Sequence, residues 1–133
     1  MFILDKLLQE DTFFVCDLEI SRVLLMNNAN YPWIILVPRQ ENLVELTDLS
    51  FDDQVKLLRE INLVSEFFQK EHNPKKINVG ALGNVVRQLH IHVVARFEND
   101  ASFPNPVWGG PSKAYEGNDA QIIINQIIAY ING

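Results

Sequence analysis

Apolar residues fall in two rhythms along this chain, one with the period of a strand and one with the period of a helix. After a short helical or irregular opening around Asp5 to Glu10, Phe13 to Leu18 and Ser21 to Met26 read as two short strands rich in aromatic and branched residues. Asn27-Asn28-Ala29-Asn30-Tyr31-Pro32 between runs is turn chemistry. Trp33 to Val37 is unbroken apolar sequence, as expected of a central strand covered on both faces, and Pro38 ends it. Ser50 with Asp53 three residues on predicts a helix start, and Leu57, Ile61, Val64 and Phe68 recur on one helical face until Asn73-Pro74. Lys75 to Val79 reads as a fourth strand, Gly80 to Asn84 as a loop, and Val85 to Arg96 as the longest strand. Phe97 to Gly117 carries Gly, Pro and Asn throughout and reads as an ordered loop. Asn118 with Gln121 predicts a capped last helix whose apolar stripe is Ile124, Ile127, Ile128 and Ile131.

The connections between the first three strands are too short for parallel crossovers. The order of elements therefore predicts an α+β fold: an antiparallel five-stranded sheet packed by one long helix and a C-terminal helix. No linker or repeat interrupts the chain, so residues 1–133 are expected to form a single domain. With 47% hydrophobic and 21% charged residues the composition is that of a globular protein. A net charge of −6 argues against nucleic acid as a partner, because phosphate neutralisation needs clustered Lys and Arg. It leaves room for a small phosphate-bearing ligand, since a local pocket can oppose the global sign. The lone Cys16 sits in an apolar run with no basic neighbour and reads as a structural thiol. Neither a signal peptide nor a membrane span is expected, and the cytoplasm is the default compartment.

The chemistry concentrates in Arg87-Gln88-Leu89-His90-Ile91-His92-Val93-Val94. If this segment is a strand, Gln88, His90 and His92 share one face while Leu89, Ile91 and Val93 enter the core. Two imidazoles two residues apart stand roughly 6.5–7 Å from each other. A phosphorus atom or carbonyl carbon fits between them, with one ring attacking and the other donating near the bond that breaks. Two plainer readings stand beside this one. The row can be a solvated strand face without chemistry. It can also supply two ligands to a metal; Glu98 then lies a little too far along the chain, and His72 reads as a solvated helix end.

Asn78-Val79-Gly80, Gly83-Asn84 and the run Gln88 to Val94 resemble the signature of the histidine triad (HIT) family, a His-φ-His-φ-His-φ-φ pattern (φ apolar) preceded by an Asn and a Gly-Gln type loop. Met26-Asn27, Pro32 and the strand to Pro38 resemble that family's nucleoside-binding region, so the likeness covers most of the chain. The resemblance implies a HIT-like domain over residues 1–133, of a bacterial-type branch with Gln in place of the first motif histidine. It implies a nucleotide hydrolase or nucleotidyl transferase that acts at an α-phosphate through a covalent nucleotidyl-histidine. Dinucleoside polyphosphates and nucleoside phosphoramidates are the substrate types, no metal or other cofactor is needed, and many members are homodimers.

Carried onto this chain, the resemblance makes His90 the nucleophile and His92 the residue that binds the phosphate and assists the leaving group. Gln88 takes the first position, where an amide can orient a neighbour but cannot titrate. Many members carry a further histidine in the upstream strand; here Ile34 follows Pro32-Trp33, so a second orienting histidine is missing. Asn27 matches a ribose-contacting position, and also reads as a plain turn residue. Asn78 matches a phosphate-side Asn, and Asn84 occupies the Gln position of the loop; both also read as loop caps. Gly80 and Gly83 let the backbone approach a phosphate. Arg96 either neutralises phosphate or is solvated. Trp108 and Trp33 line the site or simply pack, with packing the safer expectation. A binding module with little catalysis remains the alternative, as does a His-x-His metalloprotein.

Overall fold

The computed structural model describes all 133 residues. A short helix α1 (Lys6–Asp11) leads into β1 (Thr12–Asp17), β2 (Ser21–Met26) and β3 (Trp33–Pro38). A 3₁₀ turn at Leu46–Asp48 precedes the long helix α2 (Phe51–Glu71), followed by β4 (Lys76–Gly80), β5 (Ile91–Arg96) and the C-terminal α3 (Asp119–Asn132). The five strands form one antiparallel sheet in the order β1-β2-β3-β5-β4. The expected α+β architecture is what the chain adopts.

Strand alternation divides the core in two. Val23 and Leu25, Ile34 and Leu36, and Ile91, Val93 and Ala95 face α2 and α3, where Leu57, Val64, Phe67, Phe68, Ile124 and Ile127 meet them. Leu24, Trp33, Ile35, Val37 and Val94 face the other way, under Leu8, Tyr31 and Val107. Both faces of β3 and β5 are thus covered, which is why every residue of either strand is buried. Each large apolar side chain enclosed this way contributes about 1.5–3 kcal/mol. His92 and Arg96 alternate with the helix-facing residues of β5 and so lie on the side away from the helices.

The helix starts differ. Ser50 caps α2, its Oγ accepting from the Asp53 N–H at 3.1 Å, and Asp52 and Asp53 complement the dipole. At α3 the expected capping box is absent. Asn118 has near-helical backbone (φ −98°, ψ 8°) and makes no side-chain cap, while Gln121 donates to Asn125 instead. An Asn whose own backbone already curls like the helix does not aim its side chain back at the first turn.

The strand expected over Val85–Arg96 begins only at Ile91. Its neighbours supply the reason. The pairing with β3 ends at Leu36–Ile91 and the pairing with β4 at Gly80–His92, so residues 85–90 have no ladder to join. Leu89 instead donates its N–H to Leu43 in the loop after β3.

Candidate active site

His90 is the residue before β5 and His92 the second residue within it. Their rings meet edge to face, centroids 4.8 Å apart. The short strand changes what Gln88 does. Its amide does not stand in line with the imidazoles; it accepts from the Asp5 N–H (2.8 Å) and donates to the Ile3 carbonyl (2.9 Å). Gln88 touches the chemistry through its main chain, because its carbonyl lies 2.7 Å from His90 Nδ1.

These neighbours fix the two rings in opposite states. A carbonyl only accepts, so His90 carries its proton on Nδ1 and holds a lone pair on Nε2 when neutral. For His92 the polarity reverses. The Trp33 indole N–H donates to His92 Nδ1 at 3.0 Å, and an indole only donates, so the neutral ring carries its proton on Nε2. Burial, helped by the neighbouring His90, pushes the His92 pKa down to about 4. With both rings neutral the site therefore presents one bare Nε2 and one Nε2–H, side by side. Trp33 thus does the orienting that was expected of a histidine and found missing at Ile34, which points into the helical core. The signal was present in the sequence, but an indole in an apolar run looks like packing.

Three cavities adjoin the pair. One of about 380 Å³ is lined by both histidines, Gly83, Asn84, Val85 and Val86 from the loop, Met26 and Ile35 from the sheet, Leu7, Leu8, Asp11 and Thr12 at the N-terminal side, and Trp108. A second, of about 440 Å³, runs past His92 between Asn27, Asn28, Glu10, Asp11 and the Trp108–Ser112 segment. Both have the size of small-ligand sites, and they share Asp11, Met26, His92 and Trp108. A smaller one, of about 200 Å³, also touches His90 and is lined by Gly83, Arg87 and Gln88 with Val44 to Thr47.

The remaining expected residues divide. Asn27 borders the cavity at His92, its side-chain oxygen accepting from the Tyr115 N–H at 2.9 Å. Gly83, with φ +70°, and Asn84 border the cavity that holds both rings. Gly80 has a different use: a Cβ there would stand 3.3 Å from the Trp108 ring. Arg96 corrects the expectation of a free or phosphate-facing cation. It is 2% exposed, and its guanidinium donates to Asp100 (2.9 and 3.2 Å), Asn78 Oδ1 (2.8 Å) and the Asn105 carbonyl (2.7 Å). Asn78 is drawn into the same network, and neither residue borders a cavity at the histidines. Asp100 also accepts from the N–H groups of Phe97, Ser102 and Phe103. Burial alone pushes its carboxyl up, but these bonds and Arg96 hold it down at about 2. Nowhere do three His, Cys, Asp or Glu side chains group around a possible metal position. Glu98 pairs with Lys75 at 3.2 Å, and His72 packs edge-on against Phe67 and Phe68.

Fold and site together define a small α+β protein built around a pair of oriented imidazoles. The HIT domain model matches residues 8–99, and the chain belongs to the HIT, or histidine triad, family. A histidine triad protein from Bradyrhizobium japonicum is 40% identical and superposes with a TM-score of 0.95 over 98% of this chain and 98% of that one. One from Sinorhizobium meliloti is 39% identical (TM-score 0.94, covering 97% and 96%). One from Marinobacter aquaeolei is 35% identical (TM-score 0.95, covering 99% and 97%). No curated protein matches the sequence. Proteins of the HIT family are in general nucleotide-binding hydrolases and transferases.

Proposed function

We propose that this chain, as one HIT-like domain over residues 1–133, is a metal-independent nucleotide hydrolase or nucleotidyl transferase that works through a covalent nucleotidyl-His90. The observation that carries the reading is the opposed protonation of the two rings. His90 Nε2 offers a lone pair to the α-phosphorus of a dinucleoside polyphosphate or nucleoside phosphoramidate. The P–N bond to His90 forms as the bond to the leaving group breaks, and that electron pair departs with the leaving atom. The imidazole becomes cationic, and its Nδ1–H bond to the Gln88 carbonyl strengthens as the charge grows. Water then attacks phosphorus, the P–N bond breaks, and the nucleoside monophosphate and neutral His90 are released; an acceptor other than water gives transfer.

His92 has a narrower part. Its Nδ1 is occupied by the Trp33 N–H, so losing the Nε2 proton would leave an anionic ring. It therefore acts as a fixed hydrogen-bond donor to a phosphoryl oxygen or the departing atom, and the leaving group takes its proton from solvent. The larger apolar share of the cavity holding both rings suits a nucleoside. Asn27, Gly83 and Asn84 stand where ribose and phosphate would pass. We place the chain in the bacterial-type branch with Gln at the first motif position, acting as a cytoplasmic homodimer. Sedimentation of the purified protein checks the assembly.

The test is acid-quenched incubation with both substrate types followed by peptide mass spectrometry. A nucleotidyl adduct on the peptide carrying His90 is expected. Nucleotide binding without any adduct identifies a binding module and ends the covalent reading. Activity lost on chelation and restored by metal supports a metalloprotein instead.

A further inference from the structure

The first motif position invites a closer reading. A primary amide places a C=O and an N–H side by side, so it can bridge the N–H of one residue and the carbonyl two residues earlier, as a neighbouring strand does. Gln88 does this to Asp5 and Ile3. An imidazole at the same position has its two nitrogens diverging across the ring and cannot make both bonds to one extended segment. The bridged segment leads directly into α1. Asp5 is the N-cap of that helix, its carboxylate accepting from the Leu7 N–H at 2.8 Å. Leu7, Leu8 and Asp11 of α1 then form one wall of the cavity that holds His90 and His92. The segment's other contacts lie before Asp5: the Met1 ammonium pairs with Glu41, Phe2 lies under the Arg22 guanidinium (5.5 Å), and Phe2 and Leu4 pack at the margin of the second core. The HIT domain model begins only at residue 8, so the tethered residues lie outside the part that defines the family.

We propose that Gln88 is a latch: from the motif's first position it ties residues 3–5 to the histidine loop and so sets α1 as the nucleoside-side wall of the cavity. It is a positioning residue for binding, and its side chain takes no part in the phosphoryl step. The identity of the ligand rests on the function proposed above; the latch itself does not. One short loop thereby carries both the nucleophile and the clamp that shapes the pocket in front of it, through the carbonyl and the side chain of a single residue.

The test compares wild type, Q88H, Q88E and a variant lacking residues 1–4, each checked for folding by circular dichroism. Q88E keeps the acceptor for Asp5 but sets an oxygen against the Ile3 carbonyl, so it reads the latch if Q88H does not fold. Hydrogen exchange is expected to speed up at least tenfold at the amides of residues 5–9 in both substitutions, with the amides of β3 and β5 unchanged. Affinity for AMP, measured by calorimetry, is expected to fall about five- to tenfold in Q88H and in the truncated chain. Combining the two changes costs less than the sum of the separate losses, because both weaken the same tether. With a nucleoside phosphoramidate the loss falls on KM rather than kcat. Unaltered exchange in both substitutions overturns the latch, as does a loss confined to kcat. A wild type that binds no AMP refutes the nucleotide reading, while the exchange pattern still decides whether Gln88 tethers the segment.

Discussion

The two ends of β5 put charged or ionisable side chains on the same face of the same strand and treat them in opposite ways. At Arg96 four of the five guanidinium N–H groups are engaged within the chain: carboxylate, amide and carbonyl oxygens surround the guanidinium, and no cavity reaches it. At His90 and His92 one nitrogen of each ring is pinned and the other is left facing open volume. The contrast separates structure from function better than residue type does. A buried polar group whose partners are all inside the chain holds the fold together. One whose inner partner fixes its state while its outer atom stays unmatched is prepared for a ligand.

The sharpest way to break this comparison is at His90. Replacing it with Ala is expected to cut turnover by roughly 10⁴-fold or more, with an unchanged melting profile; retained turnover on both substrate types would remove the nucleophile. The mirror experiment is at the other end of the strand. Arg96→Met leaves Asp100 enclosed without its cation and is expected to cost about 3–5 kcal/mol in urea unfolding. Once folded, it should bind nucleotide as the wild type does. Loss of binding with full stability would mean that Arg96 belongs to the site after all.

Acid sharpens the same division. The folded-state pKa of His92 lies below its ordinary value, so the unfolded chain takes up a proton first. Its contribution is whole above pH 6.5 and is lost as pH falls towards about 4, roughly 3 kcal/mol in all. Half-buried His72 shifts in the same direction. Asp100 acts in a lower window: its contribution persists until pH falls through the carboxylate range to about 2. Urea melts from pH 7 to 4.5 should show the histidine loss, and His92→Asn should flatten most of it. The smallest effect is expected at Trp33→Phe: about tenfold in rate, with the His92 pKa rising as its Nδ1 becomes free to accept a proton. Nitrogen chemical shifts of the ring read the tautomer directly, and an unchanged tautomer would show that Trp33 only packs.

Much of the fold was legible because its cues are local. The unbroken run Trp33–Val37 announced a strand covered on both faces, and Ser50 announced α2, because a few neighbouring residues decide each. The misreadings have two sources: partners outside the segment being read, and, at Asn118, a local backbone angle that composition does not reveal. Val85 to His90 has strand-like residues but no adjacent strand. Arg96 looked available because nothing in its own strand reveals that Asp100 and Asn105 fold back onto it. At the site, the His pair was readable from alternation alone. The wall built by Leu7, Leu8 and Asp11 was not, since a six-residue helix far from the motif carries no chemical signature. Trp33 was seen but misassigned, because its role depends on which atom its N–H meets across the sheet.

The chain has two tryptophans, and both indoles lie against the same imidazole, 5.6 Å and 5.3 Å from its centroid. Its tryptophan emission therefore originates entirely beside the histidine pair. Ligand entry beside His92 and the charging of its ring are expected to change that native fluorescence, with no dye and no engineered label.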